Sequence, residues 1–205
     1  MIQTITNNED MIIKKLNEQE IISIYTTHSV RHFPEAERKP VSSIQRMMEE
    51  GIYMGYGLYE KKEAETLLCY AFFTILPDRR NILLDYFAVM EKYRGHGIGS
   101  LFLRHMKDSV ADYDGILIET EDPAYAANEK ERLIRDKRIA FYNGNGTFFT
   151  GILAEVFGVH YRILFFPILT IPAQETLFTD FDSIYRRMVS QRNYETQINL
   201  SLLNL

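Results

Sequence analysis

The chain has 205 residues, 46% of them hydrophobic and 25% charged, which suits a globular protein that buries a core without disulfides or metal. Acidic residues outnumber basic ones, 28 to 23, and the net charge of −5 argues against nucleic acid as a partner. The single cysteine, Cys69 in LLCYAFF, excludes an internal disulfide, and no Cys/His cluster has zinc spacing, so no metal is expected.

MIIKKL, residues 11–16, reads as a short strand. Asn17 with Glu20 three residues later has the form of a capping box, opening a helix that runs to about Arg31 and ends before Pro34. A second helix starts near Pro40, with Val41, Ile44, Met47 and Met48 on one face and Gly51 as its stop. Two β-rich runs follow, IYMGYGLYE and TLLCYAFFTIL, joined as a hairpin by the charged tip KKEAE. NILLDYFAV is a further strand ending at Val89, and a glycine-rich stretch follows at once. Ile98, Leu101, Phe102, His105 and Met106 then recur at helical spacing, the stripe of a helix with one buried face. GILIE, residues 115–119, is wholly apolar apart from its end, as a parallel strand covered on both sides would be. Residues 81–119 thus form a strand–helix–strand unit.

Asp122 and Pro123 read as the N-cap and first residue of further helical structure, charged through NEKERLIRDKR and aromatic at Phe141 and Tyr142. NGNG ends it. Two β-rich runs around ILAEVF and YRILFF, separated by Gly158, are expected to pair antiparallel. A last helix after Pro172 carries the face Leu177, Phe181, Ile184, Tyr185 and Met188. The tail alternates apolar and polar residues from Ile198, which suits an added edge strand, a partner-binding segment or disorder. The N-terminus MIQTITNNED lacks the charged-then-apolar form of a secretion signal. The longest apolar run, ILFFPILTI, is shorter than the roughly 20 residues a spanning helix needs. A cytoplasmic protein without a membrane partner is expected.

The stretch YRGHGIGSLF, residues 93–102, carries the chemistry. A helix begins with unpaired amides and partial positive charge, and glycines just before it let the backbone approach a ligand. Strand, glycine turn, helix is therefore an anion site suited to phosphate or pyrophosphate, with Arg94 as a charged donor at its rim. The bland alternative is a tight turn that needs positive φ. A P-loop is excluded, because no lysine with serine or threonine follows the glycines. A dinucleotide fingerprint would use Gly95 and Gly97, with Glu119 as the distant acid, but Ser100 stands where its third glycine belongs. Only one strand–helix–strand unit is visible, whereas a doubly wound sheet alternates throughout.

FAVMEKYRGHGIGSLFLRHM resembles the acetyl-CoA signature of the GCN5-related N-acetyltransferase (GNAT) superfamily. Arg94, Gly95, His96, Gly97, Ile98 and Gly99 meet its Q/R-x-x-G-x-G/A pattern, five residues beyond the strand end at Val89. RIAFYNGNG resembles the family's late helix through Phe141, Tyr142 and Gly146. The order of elements over roughly residues 11–170 also follows the family. The resemblance implies an α/β (α+β) fold: a mixed, mostly antiparallel central sheet with parallel, splayed strands four and five and helices on both faces. It implies a GNAT domain over residues 1–172, with a C-terminal helix and tail, 173–205, packed on it or on a partner.

The same resemblance implies acetyl transfer from acetyl-CoA to a primary amine of a small molecule or peptide, by direct attack on the thioester. The pantetheine arm would run along Phe87, Ala88 and Val89, and the pyrophosphate would lie on the amides of Arg94 to Gly99 with Ser100 beside them. Tyr142 stands at the family position for an acid near the coenzyme sulfur. The family's strand-four glutamate position is Leu83 here, so that role does not carry over. Asp85, two residues on in an otherwise apolar strand, is a candidate base or amine anchor, and Glu119 at the end of strand five is another. Arg135 and Arg138 fall where the family often has asparagine and alanine. Both are candidates for coenzyme phosphates, with pairing to Asp136 or Glu131 as the alternative. His28 and His32 lie one turn apart, a metal-compatible spacing without a third ligand. A homodimer is a further expectation. The competing function is a non-catalytic coenzyme A-binding or partner-binding module on the same fold.

Overall fold

The computed structural model describes residues 11–61 and 66–203. The first ten residues and most of the hairpin tip KKEAE lie outside the described residues. One open sheet of eight strands runs in the order β1-β2-β3-β4-β5-β7-β6-β8. The chain divides into two compact units, Met1–Thr74 with Asp85–Ser109, and Ile75–Leu84 with Val110–Leu205. The fold is the α/β arrangement expected from the sequence, mixed and mostly antiparallel, with one parallel pair. No helix among the described residues is long and apolar enough to cross a membrane.

In the first unit, β1 (Met11–Leu16), β2 (Tyr53–Glu60) and β3 (Thr66–Thr74) form an antiparallel meander, with Leu16 opposite Gly55 and Tyr53 opposite Thr74. Helix α1 (Glu18–Ile24) opens on the expected capping box. The Asn17 side chain accepts from the Glu20 amide at 2.9 Å, and the Glu20 carboxylate accepts from the Asn17 amide at 2.7 Å. Each exchange satisfies an amide that the first turn leaves without a partner.

The expected single helix to Arg31 is interrupted. A π-helical turn, Tyr25–Ser29, joins α1 to the single turn α2 (Val30–His32). The wider turn puts Tyr25 and Ser29 in the core, 3% and 0% exposed. Periodicity could not reveal it, because a π turn adds one residue where packing demands it. Helix α3 (Val41–Glu49) buries Ile44, Met47 and Met48 and stops at Gly51, whose φ is +68°. Helix α4 (Ile98–Ser109) buries Ile98, Leu101, Phe102 and Met106 as its stripe required.

In the second unit, the first half of β4 (Asn81–Val89) pairs in parallel with β5 (Gly115–Glu121). The pairing runs from Asn81↔Gly115 to Leu84↔Ile118 and goes no further, although both strands continue. Strand β5 pairs with β7 (Val159–Pro167), and β7 with β6 (Phe148–Val156), both antiparallel. Phe157 and Gly158 turn the β6–β7 hairpin with φ of +49° and +79°. Positive φ at both turn residues matches the twist of the strands they join.

Asp122 caps only a 3₁₀ turn, Pro123–Tyr125, by accepting from the Ala124 amide at 3.0 Å. Its carboxylate is also held by Arg162, and helix α5 (Glu129–Gly144) starts anew behind Asn128. The Asp122–Pro123 pair therefore opens a turn, not the long helix expected from it. Helix α6 (Gln174–Met188) buries the predicted face, and α7 (Gln191–Gln197) leads into β8 (Ile198–Leu202), which pairs antiparallel with β6. Of the three readings of the tail, the structure takes the edge strand.

Candidate active site

Beyond Val89 the first unit makes a 3₁₀ turn, Glu91–Tyr93, and then the glycine loop. Arg94 is tied back to the strand end, its Nε donating to Val89 O at 3.0 Å, and His96 Nδ1 donates to Arg94 O at 2.8 Å. Gly95 and Gly97 have φ of +77° and +78°, and a Cβ built on either would meet nothing within 4 Å. The loop is therefore held in left-handed backbone with open space around it. The amide of Leu101 bonds Gly97 O at 3.0 Å, so those of Ile98, Gly99 and Ser100 precede the helical ladder. The Arg94 amide, counted among the expected donors, instead bonds Glu91 O at 3.3 Å. Gly99 is buried in the first turn of α4 rather than left-handed. Ala88 is buried, Phe87 and Val89 are half-buried, and the Phe87 ring stacks on Phe102 of α4 at 5.4 Å.

Asp85 is the next polar group back along β4. Its side chain is 3% exposed, and its two oxygens are engaged separately. Tyr53 OH donates to Oδ2 at 2.7 Å, and the Lys39 ammonium pairs with Oδ1. The same ammonium lies 5.2 Å from the centre of the Tyr86 ring. Tyr86 OH accepts from the Lys39 amide at 2.9 Å and donates to Glu37 O, while Tyr25 OH donates to Lys39 O at 2.6 Å. Burial and the neighbouring Asp85 charge push the Tyr53 phenol well above its ordinary value, so it remains a donor.

Sequence reasoning found Asp85 and missed Lys39, Tyr53 and Tyr86. A carboxylate in an apolar strand was the available signal, because burial obliges it to find a cation or donors nearby.

His28 and His32 stack at 6.4 Å, and His32 Nδ1 bonds Tyr70 OH, which also contacts buried Ser29 Oγ, both at 3.0 Å. Burial, with Arg94 next in weight for His32, lowers both imidazoles below their ordinary value. No group of three or more metal-ligating side chains occurs among the described residues.

The remaining predicted residues lie in the second unit. Tyr142 is 7% exposed, and burial raises its phenol to about 12 against the opposing pull of Arg138. The Glu119 carboxylate accepts from Tyr185 OH of α6. Arg138 pairs with Glu121 at 2.6 Å, and Arg135 bonds Glu121, Glu131 and Asp122 O. Arg138 thus pairs with a carboxylate, Glu121, other than the two expected for it, Asp136 and Glu131. Glu121 serves both guanidinium groups.

The acetyltransferase (GNAT) family model matches residues 16–130, more than half of the chain. The protein belongs to the GNAT family. The match takes in the glycine loop and Asp85 and ends before Tyr142.

Solved GNAT structures agree in fold at low identity. The ribosomal-protein-S18-alanine N-acetyltransferase of Escherichia coli superimposes with a TM-score of 0.53 at 16% identity, over 80% of this chain and 96% of its own. The spermidine N-acetyltransferase of Vibrio cholerae, in complex with CoA and spermine, gives 0.57 at 9% identity, over 78% and 97%. A dodecameric form of the V. cholerae enzyme in an intermediate state gives 0.57 at 10%, over 78% and 95%. No curated protein matches the chain.

Proposed function

We propose that this GNAT protein is an acetyl-CoA-dependent N-acetyltransferase that moves acetyl to a primary amine of a small molecule or peptide. The observation that carries the reading is the loop before α4. Two left-handed glycines with open space lead into α4, and the amides of Ile98, Gly99 and Ser100, which precede the helical ladder, would serve an anion of pyrophosphate size. Phe87, Ala88 and Val89 would take the pantetheine arm, and Gly95, His96 and Arg94 would border the phosphates. Arg138 joins them only if it leaves Glu121. That a GNAT neighbour carries CoA with spermine, and another acts on an alanine of a ribosomal protein, supports an amine acceptor.

The reaction joins the amine nitrogen to the acetyl carbon, breaks the carbon–sulfur bond and releases the coenzyme thiol. An alkyl amine with a pKa of about 10.4 must first lose its proton. Asp85 is assigned to anchoring that amine, the proton leaving through water. A phenol held at about 12 is a weaker acid than a thiol, whose pKa is about 8.5. Tyr142 is therefore assigned as a hydrogen-bond donor to the developing thiolate rather than as a full proton source. Glu119, committed to Tyr185, is the lesser candidate for a base.

The second reading, a non-catalytic coenzyme-binding module, draws on the engagement of both carboxylates by other side chains. Thiol release from acetyl-CoA across a panel of polyamines, aminoglycosides and peptide amines separates the two. Turnover with at least one amine supports the enzyme. Coenzyme binding by calorimetry with no turnover across the panel transfers the assignment to the module. A cytoplasmic homodimer completes the reading, with residues 173–205 as an appendage to a GNAT domain over 1–172; sedimentation tests the assembly.

A further inference from the structure

Lys39 lies between α2 and α3, outside any helix or strand, and its side chain is 24% exposed. It nevertheless ends on Asp85, the one carboxylate of β4, whose side chain is 3% exposed. The receiving groups are one Asp85 oxygen and the face of Tyr86, while Tyr53 holds the other Asp85 oxygen and so fixes the carboxylate. A carboxylate beside an aromatic face is what an alkylammonium ion recognises, through charge on one side and the ring quadrupole on the other.

The backbone around Lys39 is latched separately. Its amide and carbonyl are held by the hydroxyls of Tyr86 and Tyr25, neither of which involves the ammonium. The four-carbon stem can therefore swing out while the loop stays docked. Lysine suits this role where arginine would not, because it is a compact point charge without a bidentate grip.

We propose that Asp85, Tyr53 and Tyr86 form an ammonium subsite and that Lys39 fills it as an internal competitor, displaced by an incoming alkylammonium acceptor. The inference rests on the acetyltransferase reading for the identity of the incoming amine. The class selected is an unbranched primary alkylamine, the shape of the lysine stem it replaces.

The test on the wild-type chain needs no turnover. Lys39 is labelled with trace acetic anhydride, with and without 1,4-diaminobutane, and its modification is read against exposed Lys137 by peptide mass spectrometry. Displacement from a subsite occupied about nine-tenths of the time exposes Lys39 and raises its relative labelling up to about tenfold. In parallel, Lys39→Met removes the competitor and tightens calorimetric binding of 1,4-diaminobutane by about the same factor, and Asp85→Asn added to it abolishes that binding. Labelling of Lys39 that is unchanged or slowed by saturating diamine overturns the proposal, as does a Lys39→Met chain that binds diamine no better than wild type. Lys39 labelling that rises in a protein releasing no thiol with any amine removes the acetyltransferase reading and leaves the subsite standing. Thiol release without displacement does the reverse.

Discussion

Replacing Gly97 by alanine separates the loop's architecture from its ligand chemistry. The new Cβ meets nothing within 4 Å, so packing contributes no penalty in the free protein. What remains is backbone: a φ of +78° costs an L-residue about 1–2 kcal/mol, partly offset by the lost freedom of glycine in the unfolded chain. The net is about 1 kcal/mol, or a fall in Tm of roughly 2–4 °C for a chain of this size. The coenzyme is affected more strongly. A hydrogen bond from an amide to a charged phosphate contributes about 1.5–3 kcal/mol, and a Cβ in the open space beside these amides obstructs one or more of them. Affinity for coenzyme A then falls about 10–100-fold. Calorimetry with coenzyme A, paired with thermal unfolding of the free variant, reads both quantities. A dissociation constant within twofold of wild type, in a variant whose Tm has moved only those few degrees, refutes the assignment of the loop to pyrophosphate.

Tyr142→Phe is expected to lower kcat about 100-fold, the low end of the effect of a transition-state donor, while coenzyme affinity stays within about twofold. Because burial holds this phenol near 12, the wild-type rate shows no loss assignable to its ionisation up to about pH 10; a limb that vanishes in the variant below that pH would sink the role. Gly115→Ala should be far more damaging than Gly97→Ala. Its Cβ would lie 2.2 Å from the Phe165 ring and 2.7 Å from Phe166 O, a backbone atom locked in the β5–β7 ladder. A cost of about 3 kcal/mol, roughly 6–12 °C in Tm, is expected by calorimetric scanning, and a Tm within 2 °C of wild type would contradict it. Asp180, a 3% exposed residue of α6 bonded to Asn81, has its carboxyl raised by burial above the ordinary carboxylate value. A raised folded-state value means that its contribution is fully present below about pH 3.8 and is lost as pH rises through the folded value. The Tm of Asp180→Asn relative to wild type should therefore climb between pH 3.5 and pH 6; a difference that stays flat or falls rejects the burial argument.

The glycine loop, α4 and the capping box were legible because their causes are local. Asn17 and Glu20 satisfy each other within one turn, and the stripe from Ile98 to Met106 is a property of spacing alone. The π turn at Tyr25–Ser29 was not legible, since it exists to bring Tyr25 to Lys39 O and Ser29 to Tyr70, partners far along the chain. The candidate site shows the same division. Asp85 stood out as a charge in an apolar strand, but its partners come from elsewhere, Lys39 from the segment before α3 and Tyr53 from β2, and share no pattern with it. Three alternating glycines read as one device, yet two are left-handed turn residues and Gly99 is an ordinary helical residue against the core. Alternation in sequence cannot tell a turn from the first step of a helix.

The two compact units are interleaved in the chain, since the second claims Ile75–Leu84 from between the two pieces of the first. No single cleavage separates them, so a fragment ending near Ser109 carries a strand that belongs elsewhere, and one starting at Val110 lacks it. During synthesis Asn81–Leu84 emerge well ahead of Gly115–Ile118, the segment with which they pair. The ribosome therefore releases half of β4 as a waiting apolar edge, and the interval before β5 arrives is where a holdase would be expected to bind the nascent chain.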